Sequence, residues 1–198
     1  MRNFILASTM AIAVSVSAPA FAQQANTPRP PPLVLTIPGF ADGTQIPIEF
    51  SQVAENAEPG GGTSPELVWT NVPEGTESFV VHFHDLDLAR NKTTEDQLHW
   101  LAWNIPGSSG GLPEGIPSGS PREDGSFQTS ATGPVYRGPG APANGPLHHY
   151  VFELYALDTM LNVEPVEDAF ENRRLVMDAI QGHVVGKASY VGLFKRPE

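Results

Sequence analysis

Glycine and proline interrupt this sequence at short intervals, and their spacing limits the length of any regular element. The 198 residues include 19 glycines and 20 prolines. The apolar residues between them form short runs rich in β-branched and aromatic side chains, which are typical of strands in an antiparallel β-sandwich. The strand-like runs cover residues 33–37, 67–70, 78–83, 100–104 and 150–157.

One passage near the C-terminus has a helical pattern instead. Its apolar residues recur with a period close to 3.6, after Pro165 and before Gly182. They are Val166, Ala169, Phe170, Val176, Met177 and Ile180. We therefore expect an all-β dominated domain, a two-sheet antiparallel β-sandwich with one or two peripheral helices, one of which covers a side of the sheets.

The N-terminus has the organisation of a secretory signal peptide. Arg2 precedes an apolar stretch over residues 4–16, and Ala20-Phe21-Ala22 forms a small-x-small cleavage site. We predict a signal peptide over residues 1–22, a proline-rich leader over residues 23–32 and one domain over residues 33–198. The mature protein is then expected to be periplasmic or secreted, with no integral membrane segment.

Composition excludes several classes of function. The sequence contains no cysteine, which rules out disulfides and thiolate chemistry. Eleven basic residues against 22 acidic ones give a net charge of −11. Such a surface repels polyanions, so nucleic acids and anionic membrane surfaces are disfavoured as partners. A homodimer stays open as an alternative to a monomer.

Ionisable residues concentrate beside two of the strand-like runs. Five of the six histidines lie in residues 82–99 or 148–149. Strand alternation places Asp85 on one face and both His82 and His84 on the other. It groups His99 with Leu101 and Trp103, and it groups His148 with Tyr150 and Phe152.

These segments resemble the phosphatidylethanolamine-binding protein family, in its bacterial Raf-kinase-inhibitor-like branch, over about residues 33 to 196. Asp85 matches the first aspartate of the family's D-P-D-x-P motif. His99 stands five residues before Asn104, as the family's histidine does. Tyr136 precedes a matching Gly/Pro loop, and His148 matches the histidine of a G-x-H-R-Y motif.

The resemblance implies a pocket at the rim of the sandwich. Its predicted ligand-binding residues are Asp85, Asp87, His99, Tyr136, Gly138, Pro139, His148 and Tyr150. The sequence departs from the family pattern in two places, because Leu86 and Ala89 replace the prolines of the aspartate motif and His149 replaces an arginine.

The favoured function is an exported binding protein for a small anionic or zwitterionic ligand of the phosphate or phosphoethanolamine type. Inhibition or regulation of a partner protein is a further role that the family suggests. The alternative is an enzyme in which Asp85, His99 and His148 perform general acid/base chemistry. Nothing in the sequence names a substrate, so a binder is preferred to an enzyme.

A metal site is the least favoured reading. The pair His82 and His84 has the H-x-H spacing of a cupin-like metal site, but alternation turns Asp85 away from it. The sequence analysis therefore assigns no metal and no cofactor.

Overall fold

The structure is a computed structural model that describes residues 30–55, 57 and 61–198. The predicted signal peptide and the leader up to residue 29 lie outside the described residues. Within the described part, the strands are β1 (Val34–Thr36), β2 (Thr44–Gln45), β3 (Leu67–Thr70), β4 (Ser78–Asp85), β5 (Gln97–Pro106), β6 (Gly111–Leu112), β7 (Phe127–Thr129), β8 (His148–Leu157) and β9 (Val184–Phe194). A 3₁₀ turn covers Ile48–Phe50, and one α-helix, α1, covers Ala169–Ala179.

The strands form two sheets, which confirms the predicted β-sandwich. The larger sheet has the order β2-β9-β8-β4-β5-β7, and the smaller has the order β1-β3-β6. Neighbouring strands are antiparallel except that the two-residue edge strand β2 pairs in parallel with β9. The long strands β4 and β8 are central, so their ends are held by hydrogen bonds on both sides.

Both faces of the larger sheet are covered, and this determines its hydrophobic pattern. One face packs against the smaller sheet through side chains such as Val81, Phe83 and Trp69. The other face packs against α1 through Val80, Leu101 and Val176, among others. Because β4 lies between these two cores, all eight of its residues are buried, its two histidines and its aspartate included.

Helix α1 lies where the apolar period predicted it, although it begins three residues after Val166. Asp168 is its N-cap, since its carboxylate accepts hydrogen bonds from the backbone N–H groups of Phe170 and Glu171. Gly182, at a φ of 85°, follows the end of the helix. None of the helices in the described residues has the length and apolarity that a membrane span requires.

Candidate functional site

The candidate site begins where β4 ends, at a bond between its last residue and the first residue of β8. Nδ1 of His148 donates to the Asp85 carboxylate, with distances of 2.8 and 3.1 Å to the two oxygens. The backbone N–H of Asp87 also donates to Oδ1 of Asp85, at 3.0 Å. Asp85 is therefore a buried carboxylate held by two donors, and Nδ1 of His148 is the protonated ring nitrogen.

His99 joins this site because β5 is bulged beside it. Phe83 pairs with Trp100 and His84 pairs with Leu98, so His99 has no partner residue on β4. The extra residue reverses the face on which His99 lies. The prediction that His99 shares a face with Leu101 and Trp103 is therefore wrong: His99 contacts Phe83 and Tyr150 on the face toward the smaller sheet.

The ring of His99 is fixed by the loop after Tyr136. Nδ1 of His99 lies 2.9 Å from the carbonyl oxygen of Arg137 and 3.0 Å from that of Gly138. A carbonyl only accepts, so Nδ1 carries the hydrogen and Nε2 keeps the lone pair. Burial lowers the pKa of His99 to about 4, although the Arg137 carbonyl opposes the shift. At neutral pH Nε2 of this histidine is therefore a hydrogen-bond acceptor.

Tyr150 lies beside both histidines and connects them to the loop. Its ring centroid is 5.1 Å from that of His99 and 6.3 Å from that of His148. Its hydroxyl accepts hydrogen bonds from the backbone N–H groups of Gly140 and Ala141, at 3.2 and 3.1 Å. Burial, and then the charge of Asp85, raise the pKa of Tyr150 well above its usual range. Asp85, His99, His148 and Tyr150 thus form one cluster.

The remaining loop residues of the predicted set, Tyr136, Gly138 and Pro139, hold the loop in place beside this cluster. The hydroxyl of Tyr136 donates to the carbonyl of Phe50 at 3.0 Å, and its ring is buried against Phe83. Gly138 donates its N–H to Gly61, and the carbonyl of Pro139 accepts from the backbone N–H of Gln52. These contacts position the loop, and ligand contact by Tyr136, Gly138 or Pro139 stays a prediction.

Asp87 pairs with the histidine that replaces the family's arginine. Its Oδ2 accepts hydrogen bonds from the backbone N–H of His149 at 2.6 Å and from Nδ1 of His149 at 2.9 Å. With two prolines missing from this motif, these bonds attach the turn after β4 to the start of β8. Burial alone would raise the pKa of Asp87, but the hydrogen bonds and charge of His149 together outweigh it and lower that pKa.

Arg137 is the residue that sequence reasoning left outside the predicted set. Its side chain is half-buried, and its charge helps to lower the pKa of His99. Its Nε is buried and has no hydrogen-bond partner among the described residues. The signal available in the sequence was its position directly before Gly138, inside the loop motif, in a chain with few cations.

The arrangement can perform two kinds of chemistry. His148 backed by Asp85 can hold a positive charge beside an anion, and Arg137 adds a second cation nearby. Nε2 of His99 can accept from an ammonium group or from a protonated phosphate. The same Asp–His pair has the form of a general base held by its orienting carboxylate.

His82 and His84 lie on the other face of β4, as alternation predicted. They contact Glu153 of β8 and Asp96, which precedes β5. Burial lowers the pKa of His82. Burial also disfavours a charge on His84, but the contacts with Asp96 and Glu153 outweigh it and raise its pKa to about 9. This cluster is separate from Asp85 and His148.

Comparison with known proteins is consistent across sequence and structure. Residues 36–195 match the family model "Phosphatidylethanolamine-binding protein". A UPF0098 protein of Methanothermobacter thermautotrophicus is 36% identical over 159 residues, which cover 79% of this chain and 95% of the relative. "Putative lipoprotein LppC" of Mycobacterium tuberculosis is 30% identical over 173 residues, covering 86% of this chain and 77% of the relative.

A solved structure shares the architecture. The crystal structure of E. coli YbcL, described as a new member of the mammalian PEBP family, aligns with a TM-score of 0.65. The two chains are 27% identical in sequence, and the alignment covers 83% of this chain and 98% of YbcL. Sequence and fold comparisons therefore point to the same relatives.

Proposed function

The chain belongs to the phosphatidylethanolamine-binding protein family, and from that premise we propose that it binds a small anionic or zwitterionic ligand at the Asp85 cluster. The ligand class is a phosphate or a phosphoethanolamine-type group. The convergence of Asp85, His99 and His148 from three strands carries the proposal, since an imidazole paired with a carboxylate and an acceptor imidazole lie beside one tyrosine.

Each part of a zwitterionic ligand has a complementary group in this proposal. The phosphate contacts Nε2–H of a protonated His148, whose positive charge Asp85 stabilises through Nδ1. Arg137 supplies a second cationic group beside His99. An ammonium or phosphate O–H group donates to Nε2 of His99, which is kept neutral by burial. Because the chain as a whole is acidic, the local positive groups of His148 and Arg137 are what attracts an anion to this site.

The test is isothermal titration calorimetry of the protein with inorganic phosphate and, in a separate titration, with phosphoethanolamine. We expect His148→Gln to weaken both probes by about tenfold or more, because a charge-assisted hydrogen bond is lost. His183→Gln is the matched control, since His183 also pairs with an aspartate, Asp158, at 2.8 Å but is exposed. Equal affinity of wild type and His148→Gln for both probes would contradict the proposal.

A second candidate is an enzyme that uses the same residues. The 2.8 Å bond from His148 to Asp85 favours it, because an oriented imidazole is the usual general base in proteins. An enzyme turns over phosphate esters and loses its rate steeply with His148→Gln. A binder retains such an ester unchanged at one equivalent per chain, which phosphorus NMR over hours distinguishes directly.

We further propose export, followed by removal of residues 1–22. The predicted signal peptide supports it, and so does the relative LppC, which is named a putative lipoprotein. An N-terminus at Gln23 in protein isolated from the exported fraction is the expected mass-spectrometric result. An N-terminus at Met1 in the same fraction would contradict the cleavage. A regulatory protein partner is expected to co-purify from that fraction.

A further inference from the structure

A second cluster of ligating side chains lies on the opposite face of β4, beside α1. His82 and His84 of β4 and Glu153 of β8 each offer one ligating atom, and these three atoms lie within 4.8 Å of one another. Nδ1 of His82 is 3.2 Å from Oε2 of Glu153, and Nε2 of His84 is 3.4 Å from the same oxygen. Strand pairing enforces this approach, since His82 is directly opposite Glu153.

These separations resemble those between ligands that share one small cation. Tetrahedral zinc with bonds of about 2.0 to 2.1 Å has ligand atoms roughly 3.3 Å apart. The two nitrogen-to-oxygen distances lie close to that spacing. The two imidazoles are less than one tenth exposed. Nε2 of His84, the atom that faces Glu153, makes no hydrogen bond within the described residues, whereas the unpartnered Nε2 of His82 is not the atom nearest Glu153. Such buried nitrogens are costly unless something binds them.

The surroundings resemble the outer contacts of a metal centre. Nδ1 of His84 bonds to Oδ2 of Asp96, which leaves Nε2 facing Glu153. A carboxylate on the far nitrogen is the usual partner of a metal-binding histidine, because it fixes the ring and its tautomer. Arg173 of α1 holds the other oxygen of Asp96, and Tyr155 donates to Glu153 at 2.9 Å.

We propose that His82, His84 and Glu153 bind a divalent cation of the zinc type. Two imidazoles and one carboxylate are ligands that zinc and the neighbouring late first-row metals accept, and a water completes four-coordination. The sequence interpretation disfavoured this site because Asp85 faces away, but the carboxylate comes from Glu153 on the neighbouring strand β8, directly opposite His82. This site is additional to the proposed ligand site on the other face.

Binding requires one local change that can be observed. The two rings are stacked, with centroids 4.1 Å apart and planes inclined by 13°. Imidazole lone pairs lie in the ring plane, so stacked rings must tilt before both nitrogens reach one ion. A cavity of about 350 Å³ beside His82, Asp96, Phe170 and Arg173 provides a route from solvent. Arg173 and Lys187 are already paired with Asp96 and Glu153, which reduces their repulsion of a cation.

The test measures Zn²⁺ binding to chelator-treated protein by calorimetry and elemental analysis. We expect one equivalent per chain and a loss of affinity of about thirtyfold or more in His84→Gln and in Glu153→Gln. The controls His148→Gln and His183→Gln retain the wild-type affinity and stoichiometry. Absence of stoichiometric zinc in wild type, or unchanged affinity in both site variants, would overturn the proposal.

A measurement on the wild type keeps the test independent of how the variants fold. Co²⁺ in place of Zn²⁺ is expected to give visible absorption bands of four-coordinate cobalt, and imidazole NMR signals of His82 and His84 are expected to shift. Zn²⁺ is also expected to raise the melting temperature, as any ligand of the native state does. Shifts confined to His148 or His183 would place the metal elsewhere and overturn the assignment.

Discussion

The carboxylate of Asp85 and the imidazole of His148 meet across neighbouring strands, with Nδ1 donating to Oδ2 at 2.8 Å. Asp85 is the last residue of β4 and His148 the first of β8, in strands that run in opposite directions. Antiparallel pairing therefore brings the two residues to the same rim although 63 positions separate them. The relationship commits one ring nitrogen to Asp85 and leaves the other for a ligand.

Replacing Asp85 tests how far that carboxylate supports anion binding. Asp85→Asn preserves size but removes the negative charge that stabilises a protonated His148. We expect phosphate to bind about tenfold more weakly, as the loss of a charge-assisted hydrogen bond predicts. Calorimetry with inorganic phosphate measures the change. Asp158→Asn, which breaks the exposed pair with His183, is expected to bind like wild type. A variant that binds phosphate as tightly as wild type would show that Asp85 does not support the ligand.

His99 predicts a loss of stability in mild acid. Burial lowers the pKa of His99 to about 4 in the folded protein, whereas the unfolded ring has its ordinary value near 6.5. Between these two pH values the unfolded state binds more protons than the folded state does. The free energy of unfolding therefore increases with pH, and the contribution of His99 to it is lost as pH falls from about 6.5 towards 4. This group alone is expected to remove about 2 kcal/mol between pH 7 and pH 5.

Urea unfolding of wild type and His99→Gln at both pH values measures this contribution. The variant starts from a lower stability at pH 7, but its decrease between pH 7 and pH 5 is expected to be smaller by about 2 kcal/mol. His183→Gln, whose ring is exposed, is expected to follow the wild-type pH dependence. Parallel pH profiles for wild type and His99→Gln would show that His99 titrates normally in the fold.

Gly138 predicts a steric limit on the loop that fixes His99. A Cβ at this position would lie 2.4 Å from the carbonyl oxygen of Phe50 and 2.7 Å from that of Gly61. Because these are backbone atoms, the loop must move to accept a methyl group. We expect Gly138→Ala to cost about 2 kcal/mol or more in the free energy of unfolding. Urea unfolding checks this against Gly110→Ala, where a Cβ meets no atom within 4 Å. Equal stabilities of the two variants would contradict it.

The sequence predicted the architecture well because short apolar runs and turn residues are local signals. Alternation also placed Asp85 and His84 on the correct opposite faces of β4. It failed at His99, because a bulge adds one residue and reverses the side chains beyond it. No residue type in 97–100 marks that bulge, which depends on how β5 pairs with β4.

Partners from distant parts of the chain were also beyond sequence reasoning. Glu153 and Asp96 meet His82 and His84 only after β8 and the β4–β5 connection are in place. The carbonyls that lock the His99 ring belong to residues 38 and 39 positions away. Motif resemblance identified the loop that contains them, but the ring tautomer that they impose depends on contacts that exist only in the folded chain.

Asn104 is the second residue of the family's histidine–asparagine motif and stands five residues after His99. Its contacts predict that it has a structural role. Its side chain closes two hydrogen bonds with Leu161: Nδ2 donates to the carbonyl at 2.9 Å, and Oδ1 accepts from the N–H at 2.8 Å. Its backbone has a φ of 58°, in the left-handed region that asparagine and glycine tolerate best. The side chain is buried, so both Leu161 groups lose the partner that they have among the described residues when it is removed. We expect Asn104→Gly to cost about 2 to 4 kcal/mol from these unsatisfied groups. Asn104→Ala is expected to cost about 1 kcal/mol more, because alanine also resists this backbone conformation. Urea unfolding of both variants measures the two effects separately.

Asn71→Gly is the matched control, since Asn71 has a φ of 57° but an exposed side chain. This substitution is expected to change the free energy of unfolding by less than about 0.5 kcal/mol. If Asn104→Gly is as stable as wild type, the two hydrogen bonds to Leu161 contribute nothing to stability. If the glycine and alanine variants are equally stable, the left-handed backbone at residue 104 imposes no cost on alanine.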